Sequence, residues 1–255
     1  MSGTVVVIPT YNERENLAGI VGRVRAAVPD ADVLVVDDNS PDGTGVIADE
    51  LALADPRVQV MHRAGKEGLG AAYLAAFNRV LKAGYDRIAQ MDADGSHRPE
   101  HLPELLAGLS DSEMVIGSRW VRGGQVLNWP KRREWLSRGG SRYARMWLGL
   151  EQRDVTGGFR AFRSDALRRI RLEEVESAGY CFQIDVLWHA HQAGLSIVEV
   201  PISFEDRRYG ESKMSGRIVV EAMLRVTTWG LVPSQARTAI AADGVRSGGR
   251  SSVSR

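Results

Sequence analysis

The stretch TVVVIPTYNE at residues 4–13 decides which fold the chain adopts. Residues 5–8 are a short apolar run, β-branched throughout, and Pro9 ends it, which is typical of a buried strand. We expect Asn12 to cap the helix that follows, with Glu15 three positions on in a capping box. That helix is predicted to bury one face, because its apolar residues have helical spacing: Leu17, Ile20, Val21, Val24 and Val28.

The same alternation of strand and helix repeats through the first half of the chain. An Ala-rich helix is expected at residues 68–83, and Pro99 stands where another helix begins. Four more apolar runs predict strands at residues 33–36, 58–61, 87–91 and 114–116. This order predicts an α/β fold with a mostly parallel central sheet, flanking helices and right-handed crossovers.

The second half of the chain is less regular from residue 117 onward. Residues 216–232 mix apolar and charged groups, which predicts an amphipathic helix that either rests on lipid or packs against the domain. Residues 234–255 are rich in Ser, Gly, Arg and Ala, which predicts a disordered tail. We therefore expect one domain over residues 1–233.

The composition excludes several classes of protein. A formal net charge of +1 over 255 residues gives no global field that would favour nucleic acid as a partner. The single cysteine, Cys181, excludes a disulfide framework and fits a reducing compartment, and beside Phe182 we expect it to be buried. No stretch reaches the roughly 20 apolar residues of a transmembrane helix, and the N-terminus is typical of a strand and not of a signal peptide. These features predict a cytoplasmic protein that at most lies on a membrane.

Acidic residues follow the predicted strands at the sheet edge where ligands bind in such folds. They are Glu13, Asp37, Asp38, Asp92 and Asp94. Asp92 and Asp94 flank a small residue directly after a strand, and such a pair can grip Mg²⁺ or Mn²⁺, which prefer oxygen ligands. The metal ion would neutralise a diphosphate leaving group.

The first strand-to-helix turn excludes a dinucleotide-binding enzyme, because it lacks the G-x-G-x-x-G pattern. The glycines at residues 65–70 have the wrong spacing and predict a tight entry into a helix, with Lys66 near phosphate. Asp37 and Asp38 suit ribose hydroxyls or donor groups on a base. The alternative is an exposed acidic turn, with Asp42 capping the next helix.

Two basic segments favour phosphate binding. Arg119 ends the fifth strand, and a group of basic and hydroxyl side chains follows it: Lys131, Arg132, Arg133, Ser137 and Arg138. A solvated basic face would equally explain Lys131, Arg132 and Arg138. The interleaved Trp120, Trp129, Trp135 and Trp147 suit a membrane interface as well as a core. Arg207 and Lys213 flank a polar loop suited to closing over a diphosphate, or they belong to a plain surface loop.

Seven segments across residues 4–215 resemble the dolichol- and polyprenol-phosphate mannosyltransferases of glycosyltransferase family 2, which have the Rossmann-like GT-A fold. The segments are IPTYNERENL, VVDDNSPDGT, MDADGSHRPE, GSRWVRGG, TGGFRAF, GYCFQID and FEDRRYGESKM. The resemblance implies GDP-mannose as donor and a polyprenyl phosphate as acceptor. It also implies a protein that docks peripherally on the cytoplasmic face of the membrane or relies on a membrane-embedded partner.

The resemblance also implies roles for individual residues. Contacts to the nucleotide sugar fall on Pro9, Tyr11, Glu13, Val36, Asp38, Asp92, Ala93, Asp94, Arg119, Arg207 and Lys213. Asp92 and Asp94 hold the metal, and Ser96 stands where some relatives have a further Gln ligand. Arg119, Arg133 and Ser137 hold the acceptor phosphate and, with Asp94, form the catalytic group.

The expected reaction needs no dedicated general base, because a phosphate monoester is largely a dianion at neutral pH. Direct attack on the anomeric carbon would invert it and give a β-linked product. We therefore expect all five histidines to be structural: His62, His97, His101, His189 and His191.

Three alternatives remain at this stage. One is a family-2 transferase with another donor, such as UDP-glucose. Another is a nucleotidyltransferase, although the first turn lacks the glycine-rich loop of those enzymes. The third is a non-catalytic lipid-docking protein, against which the acidic pair and the paired cationic segments argue.

Overall fold

A computed structural model describes residues 3–175, 181–206 and 216–231, with side chains throughout except at residues 216–221. Its strands are β1 (Thr4–Thr10), β2 (Asp32–Asp37), β3 (Val58–His62), β4 (Arg87–Gln90), β5 (Met114–Ser118), β6 (Gln125–Leu127), β7 (Arg160–Arg163), β8 (Ile197–Pro201) and β9 (Ser203–Glu205). Its α-helices are α1 (Leu17–Ala27), α2 (Thr44–Ala54), α3 (Leu69–Ala83), α4 (Leu102–Ala107), α5 (Lys131–Leu148), α6 (Ser164–Arg169), α7 (Phe182–Gln192) and α8 (Gly216–Leu231).

Seven strands form one sheet in the order β3-β2-β1-β4-β7-β5-β8, and β6 pairs with β9 in a separate ribbon. Within the large sheet only β7 runs antiparallel to its neighbours, so the predicted mostly parallel α/β sheet is confirmed. The sequence analysis missed β7, because this four-residue strand begins and ends with arginine instead of showing an apolar run.

The sheet is covered by helices on both faces, which explains the uninterrupted apolar run in β1. Successive side chains of a strand point to opposite faces. Val5 and Val7 accordingly pack in one buried cluster with α3 and α7, whereas Val6 and Ile8 pack in the other with α1 and α4. The core therefore lies in two layers, and the loops at the strand ends remain available for a site.

The predicted capping box before α1 is wrong. Helix α1 begins at Leu17, and Asn12 has a left-handed backbone with φ 60° instead of capping it. The turn after β1 bonds to the next loop of the sheet edge, because the Asn12 and Glu13 amides donate to Ser40 Oγ and Thr44 Oγ1. These contacts compete with helix formation, so α1 begins later than predicted. They also link the first two loops at the sheet edge.

Asp42 supports the start of α2 without being its N-cap residue, a position that Gly43 occupies. Its Oδ1 accepts hydrogen bonds from both the amide and the hydroxyl of Thr44, the first residue of that helix. These bonds satisfy an amide at the helix end that has no partner within the helix. The turn formers at residues 39–43 therefore build a defined loop at the sheet edge.

Helix α5 is the largest element that the sequence analysis missed. Its 18 residues occupy a segment described above as irregular, because its apolar face is narrow and six basic residues interrupt it. Helix α8 packs along it, with Tyr143 and Thr227 hydrogen-bonded and Gly230 against the Trp147 carbonyl. A Cβ at Gly230 would lie 2.5 Å from that oxygen, so only glycine allows this approach.

Helix α8 was predicted to rest on lipid or to pack against the domain, and it has a face suited to each. Ala222 and Val226 are buried against the domain, whereas Met223, Leu224 and Leu231 are exposed. In the part of the chain that the structure describes, no helix is long and apolar enough to span a bilayer. The predicted tail at residues 234–255 lies outside the described residues.

Candidate active site

The carboxyl ends of β1, β2 and β4 meet at one edge of the sheet, and the structure brings most of the predicted site residues there. Pro9 and Val36 are register partners in β1 and β2, and both are buried. Ala93 is buried between the two acids that follow β4. The acids at this edge are Glu13, Asp37, Asp38, Asp92 and Asp94. Parallel strand ends therefore collect acids that are distant in sequence, as the α/β pattern predicted.

Asp38 is held by an arginine that the sequence analysis did not select. Arg63 Nη1 donates to Asp38 Oδ1 at 2.5 Å, and both side chains are more than nine-tenths buried. Burial raises the pKa of the Asp38 carboxyl, and the Arg63 guanidinium opposes that rise. The neighbouring Asp37 instead accepts hydrogen bonds from Thr10 and Ser40, so it braces the turn. The Asp38–Arg63 pair therefore offers fixed acceptors and donors, which suit a base or a ribose.

A cation from a later loop reaches the first turn. Lys66 Nζ lies 3.9 Å from the centroid of the Tyr11 ring, a cation–π contact. The loop that carries Lys66 enters α3 through Gly68, whose φ of 103° requires glycine. The glycines at residues 65–70 thus make a tight helix entry, and they place an ammonium group beside the predicted nucleotide contact.

The acidic pair after β4 is oriented by several neighbours. Tyr73 Oη donates to Asp92 Oδ1 at 3.2 Å, and Asp94 Oδ1 accepts from the Ser96 amide at 3.0 Å. Burial raises the pKa of Tyr73 well above its ordinary value, so its hydroxyl stays a donor. The Asp92 amide donates to His97 Nδ1 at 2.9 Å, which requires that nitrogen to be unprotonated. His97 therefore helps to hold the backbone at Asp92 in place.

The acidic pair fits a divalent metal that is shared with a substrate. Asp94 is buried, whereas the Asp92 side chain is 33% exposed and so accessible from the sheet edge. Among the described residues no group of three acidic, histidine or cysteine side chains is placed to hold a metal. Mg²⁺ is usually bound by one or two protein carboxylates, and phosphate and water oxygens fill its remaining coordination positions. Ser96 is buried next to Asp94, and its backbone amide is what contacts that carboxylate.

Arg119 lies at the end of β5 as predicted, and it is held in a buried ion pair. Its Nε and Nη2 donate to the two carboxylate oxygens of Asp154 at 2.7 and 2.6 Å, and Nη2 also reaches Thr156. Arg119 is 5% exposed and Asp154 is fully buried. The sequence analysis selected the arginine and missed the aspartate, which lies in a loop without a strand-end signal.

Arg133 and Ser137 lie one turn apart on α5, and Arg133 lies beside an indole ring. Arg133 Nη1 donates to Asp206 Oδ1 at 2.7 Å, and its Cζ lies 4.0 Å from the Trp129 ring centroid. Among the described residues Ser137 Oγ and the indole nitrogens of Trp120 and Trp129 are buried without a hydrogen-bond partner. Unsatisfied buried donors are costly, so an oxyanion within reach of any of these groups would be stabilised by accepting a hydrogen bond from it.

The remaining residues of the basic segment were predicted either to bind phosphate or to form a solvated basic face. Lys131 and Arg132 are exposed and fit a solvated face. Arg138 is exposed and paired with Glu134, and its Cζ also lies 4.4 Å from the Trp120 ring centroid. Trp135 and Trp147 are exposed, whereas Trp120 is buried. Arg207 and Lys213 lie outside the described residues.

The loop at residues 154–158 joins the two halves of this edge. Its first residue holds Arg119, and its last, Gly158, lies beside Asp92 and His97. The fully buried Arg160 fixes the loop by donating to the carbonyls of Val155, Gly157 and Gln183. Burial lowers the pKa of Arg160 to about 9. The only signal for Arg160 in the sequence was its place within the TGGFRAF segment.

Cys181 and four histidines have the structural surroundings that we expected. Cys181 is buried beside Phe182. His97 stacks on Phe159, and His101 Nε2 accepts from the Ser203 amide. His62 contacts Asp49, and His189 contacts Asp185. These partners lie in the surrounding fold, and only His97 also touches the acidic pair.

The chain is similar to known proteins in both sequence and fold. The family model described as "Glycosyl transferase family 2" matches residues 5–171. Glucosyl-3-phosphoglycerate synthase of Mycobacterium tuberculosis superimposes with a TM-score of 0.68 at 19% identity, over 91% of this chain and 81% of that one. A mannosyltransferase of Pyrobaculum calidifontis, solved with GDP-Man and Mn²⁺, gives 0.54 at 16% identity, over 95% and 79%. The chain has the GT-A fold and belongs to glycosyltransferase family 2.

Two curated relatives narrow this class. Polyprenol monophosphomannose synthase of Mycolicibacterium smegmatis is 56% identical over 230 residues, which are 89% of this chain and 87% of that protein. Undecaprenyl-phosphate mannosyltransferase of Micrococcus luteus is 55% identical over 227 residues, 89% and 93% of the two chains. Within family 2 the chain therefore belongs with the polyprenol-phosphate mannosyltransferases, the family that its seven sequence segments indicated.

Proposed function

We propose that the protein transfers mannose from GDP-mannose to the phosphate of a polyprenyl phosphate and inverts the anomeric carbon. The observation that carries the proposal is the 55–56% identity to two proteins named for mannose transfer to polyprenol or undecaprenyl phosphate. The site supports it, because an acidic pair suited to a donor diphosphate lies on the same sheet edge as the arginines suited to an acceptor phosphate. The nucleotidyltransferase and lipid-docking alternatives have no such support.

The donor would bind along the ends of β1, β2 and β4. Asp38, Arg63 and Tyr11 are placed for the nucleoside, and Pro9, Val36 and Glu13 line the same turn. Asp92 and Asp94 would hold Mg²⁺ or Mn²⁺, which when bound stabilises the charge of the departing diphosphate. Arg207 and Lys213 retain their proposed role over the diphosphate on the strength of the sequence alone.

The acceptor phosphate would lie among Arg119, Arg133 and Ser137. Ser137 Oγ and two indole N–H groups supply donors, and Asp154 and Asp206 hold the two guanidinium groups in place. A phosphate dianion is already a nucleophile, so the residues need only aim it and balance its charge.

Inversion follows from the direct attack that this arrangement favours. A single displacement brings the nucleophile in opposite the leaving diphosphate, so an α-linked donor gives a β-linked product. Asp154, on the acceptor side, is fully buried and engaged with Arg119, so its carboxylate is not available as a nucleophile that would compete with the acceptor phosphate.

The membrane is the proposed partner of α5 and α8, on the cytoplasmic face. Large apolar side chains are exposed on both helices: Trp135, Leu136, Met146, Trp147, Met223, Leu224 and Leu231. On α5 they alternate with six basic residues, a pattern suited to anionic headgroups. The acceptor candidates Arg133 and Ser137 lie on the same helix, so docking would bring them to the lipid phosphates. A membrane-embedded partner protein would strengthen the same contact.

The test is to mix the purified protein with Mg²⁺ or Mn²⁺, labelled GDP-mannose and a polyprenyl phosphate in detergent, and to measure label in the organic phase. Metal-dependent β-linked lipid mannose supports the proposal. Transfer from UDP-glucose and not from GDP-mannose would show that the proposed donor is wrong, while the proposed type of reaction would stand. An α-linked product would overturn the inverting scheme, and no transfer from any donor would overturn the proposed function.

A further inference from the structure

Gly158 leaves a small open position next to the acidic pair. A Cβ at this residue would lie 3.4 Å from Gln183 Nε2, 3.5 Å from His97 Cε1 and 3.8 Å from Asp92 Oδ2. These are ordinary van der Waals distances, so the position accepts a methyl-sized group without a clash. Its backbone φ is not positive, and an alanine would therefore fit without strain. We call this position the Gly158 niche.

Gln183, in the first turn of α7, borders the Gly158 niche with an unused donor. Its side chain is 6% exposed, and its Oε1 accepts from Gln90 Nε2 at 2.9 Å. Among the described residues its Nε2 has no hydrogen-bond partner, although it is the atom nearest to the Gly158 niche. A buried amide N–H without an acceptor is costly, so a ligand oxygen at this position would relieve that cost.

Gln183 is held once through its side-chain amide and once through its backbone carbonyl. Gln90, the last residue of β4, donates to both Gly158 O and Gln183 Oε1 at 2.9 Å. Arg160 donates to the Gln183 carbonyl at 2.7 Å and to the Gly157 carbonyl at 2.8 Å. The donor group is therefore held in place before any ligand arrives, as a recognition site requires.

The Gly158 niche also lies where the transferred sugar must be. Asp92 Oδ2 and Gln183 Nε2 are both within 4 Å of it. In a nucleotide sugar the sugar is bonded directly to the diphosphate, which the proposed function places at Asp92. The sugar of a donor whose diphosphate binds at Asp92 is therefore within reach of the Gly158 niche.

We infer that the Gly158 niche receives part of the transferred sugar and that Gln183 donates a hydrogen bond to one of its hydroxyls. Gln183 then helps to decide which sugar is accepted, because a donor without that hydroxyl leaves the buried amide unpaired. The inference rests on the proposed function, since it uses a nucleotide sugar bound at Asp92.

The first test replaces Gly158 with alanine and measures binding of GDP and of GDP-mannose by calorimetry with Mn²⁺ present. We expect G158A to bind GDP within about twofold of the wild type and GDP-mannose about tenfold more weakly, because the methyl group occupies the sugar position. Gly22→Ala, on α1 with nothing within 4 Å of its Cβ, is the matched control and should change neither affinity. Unchanged binding of GDP-mannose to G158A would overturn the inference.

The second test combines Gln183→Met, which keeps the volume and removes the donor, with GDP-mannose analogues that each lack one hydroxyl. In the wild type, loss of the contacted hydroxyl should lower kcat/KM about tenfold, the value of one ordinary hydrogen bond. In Q183M the same deletion should cost less than about twofold, because the partner is already gone. If every deletion costs the same in both proteins, Gln183 does not read the sugar.

Different results would overturn the proposed function and the role of the Gly158 niche. A wild-type protein that binds GDP-mannose but transfers nothing to a polyprenyl phosphate overturns the proposed function, while G158A still tests the Gly158 niche by binding alone. A wild type that transfers mannose, with G158A and Q183M behaving like it, overturns the niche and keeps the function.

Discussion

Asp94 is the buried member of the acidic pair, and its carboxylate accepts a hydrogen bond from the Ser96 amide. Replacement by asparagine keeps the size and removes the charge that a divalent ion requires. We expect Asp94→Asn to lower kcat by about a hundredfold or more, because charge stabilisation by a metal is worth several kcal/mol. Turnover of labelled lipid mannose across a range of Mn²⁺ concentrations measures this.

Asp111→Asn is the control for Asp94→Asn. Asp111 is exposed in a turn before β5, away from the carboxyl ends of the strands, so its loss should leave kcat unchanged. Substantial activity in Asp94→Asn at every metal concentration would remove the metal role from this residue.

The Arg119–Asp154 pair should contribute to stability as well as to acceptor binding. Asp154→Ala leaves a buried guanidinium without its carboxylate, and breaking such a pair typically costs about 3–5 kcal/mol of unfolding free energy. Urea denaturation followed by circular dichroism measures the loss.

The matched variant for Asp154→Ala is Asp206→Ala. It breaks the Arg133 pair, whose carboxylate side chain is 37% exposed. Because solvent screens that pair, we expect a loss of at most about 1 kcal/mol. Equal losses in the two variants would mean that burial does not set the strength of the Arg119–Asp154 pair.

Helix α5 has two sides with different surroundings. Ser137 and Ser141 are buried towards the domain, while Trp135 and Met146 are 78% and 71% exposed. The spacing of apolar residues therefore does not predict this helix, because some of its apolar side chains face away from the core. This arrangement explains why the sequence left the tryptophans undecided between a core and an interface.

Trp135→Ser should weaken membrane binding without affecting the fold. Burial of a large apolar side chain is worth roughly 1.5–3 kcal/mol, so we expect about a tenfold weaker partition onto vesicles with anionic lipids in a flotation assay. Leu53→Ser is the matched control, because Leu53 is 89% exposed on α2. If both variants bind vesicles like the wild type, α5 is not the docking helix.

The composition of the chain predicts that the folded domain ends at residue 233. We expect a chain that ends after residue 233 to keep the thermal stability and the detergent-assay turnover of the full protein, because residues 234–255 offer few large apolar groups to a core. Differential scanning calorimetry and the lipid-transfer assay measure both. A marked drop in the melting temperature would place the tail within the folded domain.

The sequence was sufficient for features that follow from local pattern. Apolar runs located the parallel strands, and the acids that follow them were placed correctly at one edge because parallel strands end together. What it missed depends on contacts between distant segments. Asp154, Arg160 and Gln183 meet the site through loops and a buried arginine, and Asn12 left its expected capping role for a bond to Ser40. No spacing rule within a single segment reports such contacts.

The antiparallel strand β7 sets the distance between two strands of the proposed site. It lies between β4, which Asp92 and Asp94 follow, and β5, which Arg119 follows. Neighbouring strands are spaced by about 4.8 Å, so the axes of β4 and β5 are separated by about 10 Å. Strands paired directly would halve that distance and bring the proposed donor and acceptor residues correspondingly closer together. Because β7 runs the other way, it also delivers its leading loop, with Gly158, into the opening that it creates.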